Sequence, residues 1–405
     1  MRRARAVGAF AALVFLSAAP LAAAQVAEGH SPPNATWAPL WTASPAPPRF
    51  DGTPEAPLSY ENQTVRQDIR LGAAARTLRL RVSNEVGVEP LSIGGMTLTA
   101  DGRTVRLTFS GQTAIDLPPG QVMFSDPVPA DIEVFETITV QTYLPGSVRG
   151  AVRRTPVRIG QGDAAVADDA ELVRRQSVIS AVLGETERSP VVIVALGDSI
   201  TEGATSTLGA NADWPSVLAQ RLHDTCPGGY VVVNAGISGN QVIRHGRSPS
   251  VLMRLDRDVL SQPRVDFVIL IEGINDIRHS GDPSQPGLDA STVIAGYRQI
   301  ADRLALHGVR LIGGTVMPFD GSERYDARSA DTRRTLNAFI RENDAFAGVA
   351  DFDAATRDPA NPEAMQTVYS RDDRLHPNDA GYEAMANAID LGLLAHPDAG
   401  CAAAN

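Results

Sequence analysis

The sequence has little cysteine, no basic cluster and no long apolar run after its first residues, and each shortage narrows the possible function. Two of its 405 residues are cysteine, and it lacks a His-Glu-x-x-His motif, so no ligand set for a zinc site is apparent. The formal net charge of -11 argues against nucleic acid and anionic membrane surfaces as partners. No stretch beyond the N-terminal segment reaches the roughly 18 apolar residues that a membrane span needs. The oligomeric state is left open.

Residues 1–24 have the pattern of a secretory signal peptide. A positively charged start precedes an apolar stretch too short to span a membrane, and an Ala-x-Ala site stands before Gln25. Cleavage after Ala24 removes three arginines, which brings the net charge near -14. We expect a soluble exported protein, secreted or periplasmic, with an uncleaved anchor as the alternative.

The two cysteines, Cys226 and Cys401, are compatible with one disulfide bond in an oxidising compartment. Such a bond would tie the C-terminal tail to the loop after the first helix of the α/β part of the chain. Two unpaired thiols are the alternative.

The periodicity of apolar residues divides the mature chain into two domains. Leu78, Leu80 and Val82 alternate with polar residues, and the same pattern recurs around Val105 and Ile138, which predicts an antiparallel β-sandwich. The predicted segments are an extended segment (25–41), a jelly-roll-like β-sandwich (42–160), a polar connector (161–189), an α/β domain (190–396) and a tail (397–405).

The α/β domain is predicted from strands that alternate with amphipathic helices. This order favours a parallel five-stranded sheet in a three-layer α/β/α, flavodoxin-like arrangement. The predicted strands are Val191–Leu196, Tyr230–Asn234, Val265–Ile271, Val309–Ile312 and Val349–Phe352. A last helix is predicted to carry Tyr382, Met385, Ile389 and Leu393.

Ser199 follows the first of these strands, in Gly197-Asp198-Ser199, and is a candidate nucleophile. Open α/β sheets place their ligands at the carboxyl ends of the strands. A serine at this position is more often a helix N-cap, so its partners must decide its role.

Candidate partners follow later strands of the same sheet. Gly239 and Asn275 can provide a backbone N–H and a side-chain amide for a developing oxyanion. Asp373 precedes His376 by three residues, a spacing that lets a carboxylate orient the imidazole while its other nitrogen faces Ser199. Each of these residues alone is compatible with ordinary turn or helix-start chemistry, but together they fit serine hydrolysis.

These four blocks resemble the SGNH hydrolases, also called the GDSL esterase/lipase family, over about 191–394. The sandwich resembles, more loosely, the N-terminal domain of some secreted bacterial members. The resemblance implies that Ser199, His376 and Asp373 form the triad and that Ser199, Gly239 and Asn275 form the oxyanion hole. Asp372 is a rival to Asp373 but lacks the family's spacing.

The resemblance implies a secreted serine esterase that needs no metal or organic cofactor. Export and the sandwich favour O-acetyl groups on carbohydrate or polysaccharide as the substrate. A lipase or polyester hydrolase is one alternative, and a non-catalytic carbohydrate-binding protein on the same scaffold is another. Asp198 and Asp276 are interpreted as loop-ordering groups, whereas His245, Arg278 and His279 stay unassigned at the predicted rim.

Overall fold

The structure, a computed structural model, describes residues 36–47, 59–246, 248–278, 286–342 and 344–401. The predicted signal peptide and most of the extended segment lie outside these residues. Among the described residues, no helix has the length and apolar character required to cross a membrane.

The described residues form eighteen strands, of which thirteen precede the α/β domain. They are β1 (Thr36–Thr42), β2 (Ser59–Arg70), β3 (Ala75–Ser83), β4 (Leu91–Ile93), β5 (Gly95–Ala100), β6 (Arg103–Arg106), β7 (Ile115–Leu117), β8 (Val122–Phe124), β9 (Val128–Ile132), β10 (Thr137–Arg149), β11 (Arg154–Gln161), β12 (Val173–Gln176), β13 (Ile179–Thr186), β14 (Val191–Gly197), β15 (Tyr230–Gly236), β16 (Phe267–Ile271), β17 (Arg310–Gly314) and β18 (Gly348–Ala350).

The described helices all lie in the α/β domain. They are α1 (Ser199–Glu202), α2 (Trp214–Thr225), α3 (Val251–Leu255), α4 (Ile274–Ile277), α5 (Ala290–Ala305), α6 (Ala327–Glu342), α7 (Phe352–Thr356) and α8 (Asp379–Asn387). A π-helical turn over Asp256–Leu260 continues α3, and 3₁₀ turns at Leu391–Leu394 and Pro397–Ala399 follow α8.

The first thirteen strands build an antiparallel sandwich of two main sheets. One has the order β1-β13-β3-β8 with β9 also paired to β3, and the other has the order β12-β11-β2-β10-β5-β6. Leu78 and Val140 are fully buried between the sheets, as the predicted alternation requires. The predicted burial of Val105 is wrong, because β6 is an edge strand and leaves this side chain 36% exposed.

The sandwich is longer than predicted at both ends. β1 pairs antiparallel with β13, which also pairs with β3, so residues 36–42 and 179–186 belong to one sheet, and β12 at residues 173–176 pairs with β11 in the other. The predicted extended segment and polar connector are therefore wrong for these stretches. β13 is an interior strand whose first four residues are all buried, and it follows the polar edge strand β12, so the sequence shows no long alternation there.

The last five strands form the parallel sheet, in the order β15-β14-β16-β17-β18. β14, the first of these strands in the sequence, lies inside the sheet between β15 and β16. All seven of its residues are therefore buried, as their unbroken apolar character predicts. Two predicted bounds are wrong. Phe352 begins α7 after the N-cap Asp351, and α8 ends at Asn387 before a 3₁₀ turn that returns Leu394 to the core.

The two domains share an extensive junction at the edge strand β15. One apolar cluster runs from Leu40 and Leu78 of the sandwich to Val231 and Val233 of β15. The Thr42 hydroxyl donates a hydrogen bond to the Asn234 carbonyl across this junction (3.1 Å). The sandwich therefore covers the edge that the parallel sheet would otherwise expose.

Cys226 and Cys401 form a disulfide bond. It links the end of α2 to the C-terminal segment, at the end of the sheet away from the carboxyl ends of the strands. The bond matches the pairing that the sequence allows.

Candidate active site

The candidate nucleophile begins a helix directly after the interior strand β14. Ser199 is the first residue of α1, and the Asp198 carboxylate caps the helix by accepting a hydrogen bond from the Ile200 N–H (2.9 Å). Helix α1 packs tightly on β15, because a Cβ atom at Gly236 would lie 2.2 Å from the Glu202 nitrogen. This packing sets the position of Ser199 at the carboxyl edge of the sheet.

Ser199, His376 and Asp373 form one continuous chain of hydrogen bonds. The Ser199 Oγ lies 2.8 Å from His376 Nε2, and His376 Nδ1 lies 2.6 Å from the Asp373 carboxylate. Asp373 also accepts hydrogen bonds from the backbone N–H groups of Leu375 and His376 (3.0 Å each). These contacts bring the predicted triad residues together, whereas the Asp372 side chain makes no hydrogen bond to a described residue.

The environment of Asp373 keeps its carboxyl group ionised. Partial burial raises its pKa, but the hydrogen bonds from the His376 ring and from the backbone N–H groups of His376 and Leu375 outweigh burial, and the net pKa is lowered. A charged Asp373 fixes the imidazole with a proton on Nδ1, so Nε2 is free to accept a proton from the Ser199 hydroxyl.

The loop that carries Gly239 is held against the nucleophile turn by backbone contacts. The Ile237 N–H donates to the Gly197 carbonyl (3.0 Å), and the Ser238 N–H donates to the Glu202 carboxylate at the end of α1. Gly239 has φ of 76°, a conformation that favours glycine. The loop therefore places a backbone turn without a side chain beside Ser199.

Asn275 reaches the same region but already has two acceptors. Its Nδ2 lies 3.1 Å from the Asp198 carboxylate and 3.0 Å from the Asn240 carbonyl. To donate to an oxyanion, the amide must share or exchange one of these hydrogen bonds. The structure thus brings Asn275 close to the turn of Ser199 and shows how its side chain is oriented.

Arg254 of α3 organises the loops behind the site, and sequence reasoning missed it. Its guanidinium is 1% exposed and donates to the carbonyls of Gly197 (2.9 Å) and Ala235 (2.7 Å) and to the Asn240 side chain (2.9 Å). The buried Asp258 carboxylate balances its charge at 2.8 Å. The one sequence signal that could have indicated this role is a charged residue between Val251 and Leu255 on an otherwise apolar helix face.

Three buried carboxyl groups lie under the site, and burial raises the pKa of each. The pKa of Asp198 is raised to about 6 and that of Asp276 to about 7, although backbone hydrogen bonds oppose burial at both positions. Burial and the charges of these two aspartates raise the pKa of Glu272 well above its usual value. Asp276 accepts hydrogen bonds from the N–H groups of Val242 and Ile243, which confirms its loop-ordering role.

The unassigned rim residues have different positions. The Arg278 side chain is half-buried, and its Nε has no hydrogen-bond partner among the described residues. Burial lowers the pKa of Arg278, while the charges of Asp198 and Asp373 raise it. His245 is exposed, and His279 lies outside the described residues. Within the described ranges, no group of three or more His, Cys, Asp or Glu residues could hold a metal ion.

Comparison with known proteins finds one family match. Residues 195–384 match the GDSL-like Lipase/Acylhydrolase family. No curated protein matches the chain significantly.

Solved structures that resemble this chain cover about half of it. An acetylxylan esterase from Geobacillus stearothermophilus is 22% identical with a TM-score of 0.40, and the match covers 52% of this chain and 97% of that chain. A GDSL-like lipase from Bacteroides thetaiotaomicron is 18% identical with a TM-score of 0.37, and the match covers 50% of this chain and 87% of that chain. At these TM-scores the likeness does not bear on the substrate.

Proposed function

We propose that this protein is an exported serine esterase that acts on O-acetyl groups of carbohydrate. The C-terminal domain, which belongs to the GDSL-like lipase/acylhydrolase family and is a carboxylic ester hydrolase, carries this activity. The observation that carries the catalytic proposal is the pair of hydrogen bonds that joins Ser199 to His376 and His376 to Asp373. This arrangement supports nucleophilic attack by a serine.

In the first step, the Ser199 Oγ attacks the ester carbonyl carbon while His376 Nε2 takes the hydroxyl proton. The tetrahedral intermediate carries its negative charge on the former carbonyl oxygen, where the N–H groups of Ser199 and Gly239 and the Asn275 amide donate hydrogen bonds. Each such donor is worth about 10²–10³ in rate. His376 then gives its proton to the leaving alkoxide, and the acyl group stays on Ser199.

In the second step, His376 takes a proton from a water molecule that attacks the acyl-enzyme. Collapse of the second tetrahedral intermediate releases the carboxylic acid and returns the proton to the Ser199 Oγ. Asp373 stabilises the imidazolium in both steps and does not itself take the proton.

Export and a carbohydrate substrate are part of the same proposal. The signal-like pattern of residues 1–24 supports export, and the disulfide bond between Cys226 and Cys401 fits an oxidising compartment. A secreted esterase with a second domain suits an extracellular polymer, and O-acetyl esters are the small acyl esters that such polymers carry.

The test is hydrolysis of p-nitrophenyl acetate, butyrate and octanoate by the wild type and by Ser199→Ala. We expect the acetate to be the best substrate and the variant to lose about 10⁶-fold in kcat. Release of acetate from an acetylated polysaccharide then tests the natural substrate class. Equal activity in both proteins would contradict the nucleophile, and preference for the octanoate would contradict the acetyl proposal.

A further inference from the structure

A cavity of about 270 Å³ lies between the two domains, on the side of β15 away from the parallel sheet. Strands β1, β2 and β11 of the sandwich form one wall, and α2 with β15 forms the other. The exposed residues Thr207, Gly209 and Asn211 belong to its lining, so the cavity reaches solvent at the loop before α2. The volume is on the order of nine liquid water molecules, enough for one small molecule.

The charged residues of this cavity are mostly arginines. Four arginines and three carboxylates line it, which leaves one excess positive charge. Of the carboxylates, Asp68 is paired with Arg66 and Arg158. The other two are also engaged: Asp213 accepts the Ser216 N–H and hydroxyl, and Glu202 accepts the Ser238 N–H.

Arg153 is the least satisfied of these cations. It is 7% exposed, its Nε has no hydrogen-bond partner among the described residues, and its one side-chain hydrogen bond runs 3.4 Å to the Thr42 carbonyl. No carboxylate of the described residues lies within ion-pair distance of its guanidinium. Burial lowers its pKa, although the charges of Glu202 and Asp213 partly offset the effect. A buried guanidinium with unused donors is costly unless another group accepts from it.

Arg174 lies on the same wall, nearer the opening. Its only side-chain hydrogen bond to a described residue runs 3.4 Å to the Ser206 carbonyl, and it too lacks an ion pair within the described part of the chain. Trp41 and Phe135 add apolar faces to the lining. The cavity thus combines planar cationic donors with surfaces on which a sugar ring or carbon chain can pack.

We propose that this cavity is a binding site for a small monoanionic oxyanion, held through Arg153 and Arg174, with the chemistry of the carboxylate on an acidic sugar. The guanidinium fork matches the geometry of a carboxylate, and one negative charge neutralises the excess of the wall. The site is separate from Ser199 and does not depend on the esterase activity. A uronic acid unit and a free inorganic oxyanion share this chemistry.

The experiment titrates the full-length protein with D-galacturonate, D-galactose and inorganic phosphate at constant ionic strength, by calorimetry. The proposal predicts binding of galacturonate and no binding of galactose. Phosphate binding equal to that of galacturonate identifies a site for free oxyanions, and weaker phosphate binding identifies one for acidic sugars. Both results support the proposed chemistry, whereas binding of neither anion, or equal binding of galactose, would overturn it.

Arg153→Gln is expected to lower the affinity for galacturonate about tenfold to a hundredfold. If that buried variant fails to fold, Arg174→Gln at the half-buried position tests the same site. Arg103→Gln is the matched control, because Arg103 is an exposed arginine of the sandwich outside the cavity. Unchanged affinity in the folded Arg153 or Arg174 variant, or an equal loss in the Arg103 variant, would contradict the assignment.

Discussion

At the scale of single residues, two neighbouring aspartates of one turn have different surroundings. Asp373 contacts the His376 ring and two backbone N–H groups, whereas the Asp372 side chain makes no hydrogen bond to a described residue. We therefore expect the carboxylate at position 373 to matter for catalysis and the carboxylate at position 372 not to matter. Because the two aspartates are adjacent in the same turn, a substitution at Asp372 is a matched control for the same substitution at Asp373.

Asp373→Asn is expected to lower kcat by about 10⁴-fold, because an amide no longer fixes the imidazole in the tautomer that accepts the serine proton. Asp372→Asn is expected to leave kcat within about twofold, since this side chain contacts none of the triad residues and surface substitutions away from such features have small effects. Steady-state kinetics on p-nitrophenyl acetate measures both. A larger loss in the Asp372 variant would show that the turn is arranged differently in solution.

The raised pKa of the buried Asp276 predicts that the stability of the protein depends on pH. Burial raises its pKa to about 7 in the folded protein, whereas an unfolded aspartate titrates near ~4. Between these values the folded state holds a proton that the unfolded state has lost, so the free energy of unfolding falls as pH rises from about 4 to about 7. Asp198, with a pKa raised to about 6, adds to the fall.

Asp276→Asn has no proton to lose at this position, so its stability is expected to fall less over the same pH range, by on the order of a few kcal/mol. Urea unfolding of both proteins at pH 5 and pH 8 provides the comparison. The same fall in the variant would mean that Asp276 does not hold a proton in the folded protein.

At the scale of elements, the site depends on the close packing of α1 on β15. The Glu202 nitrogen leaves no room for a side chain at Gly236. The Glu202 carboxylate also accepts a hydrogen bond from the Ser238 N–H, in the loop that carries Gly239. A shift of α1 would therefore move Ser199 and the Gly239 loop together.

Gly236→Ala is expected to lower stability by about 1–3 kcal/mol through overpacking and to lower kcat with it. Gly146→Ala is the control, because a Cβ atom there meets nothing within 4 Å and Gly146 has an ordinary φ. Urea denaturation measures the free energy of unfolding of both variants, and steady-state kinetics measures their kcat. Equal behaviour of the two variants would show that α1 can move away at little cost.

The parts of the site that the sequence predicts are those with a local signal. The buried run of β14 and the three-residue spacing of Asp373 and His376 are visible in one stretch of chain. Arg254 is not, because its acceptors at Gly197, Ala235 and Asn240 meet only after three strands have assembled. The sequence does not predict the sandwich strand β13 for the same reason, because its pairing with β1 and β3 is long-range.

At the scale of the whole molecule, the sandwich and the α/β domain share one core. One apolar cluster crosses the junction from Leu78 to Val233, and Arg154 of β11 reaches the Ser238 hydroxyl in the loop that carries Gly239 (3.5 Å). Separation of the domains would expose the edge of β15 to water. We therefore regard the sandwich as part of the structure that supports the site.

A shared core predicts that the full chain unfolds in a single cooperative transition. Differential scanning calorimetry should give one peak, with loss of esterase activity at the same temperature. Two separate peaks, with activity following only the second, would contradict the coupling between the domains.

The central claim is that Ser199 forms the covalent acyl-enzyme, and intact-protein mass spectrometry after reaction with a p-nitrophenyl alkylphosphonate ester tests it most directly. Such a reagent traps the activated serine by displacement of p-nitrophenol, so we predict one adduct per chain, on the peptide that contains Ser199. Ser199→Ala should give no adduct and His376→Ala should react far more slowly, because the hydroxyl needs its base. An adduct on another residue, or equal labelling of Ser199→Ala, would contradict the account.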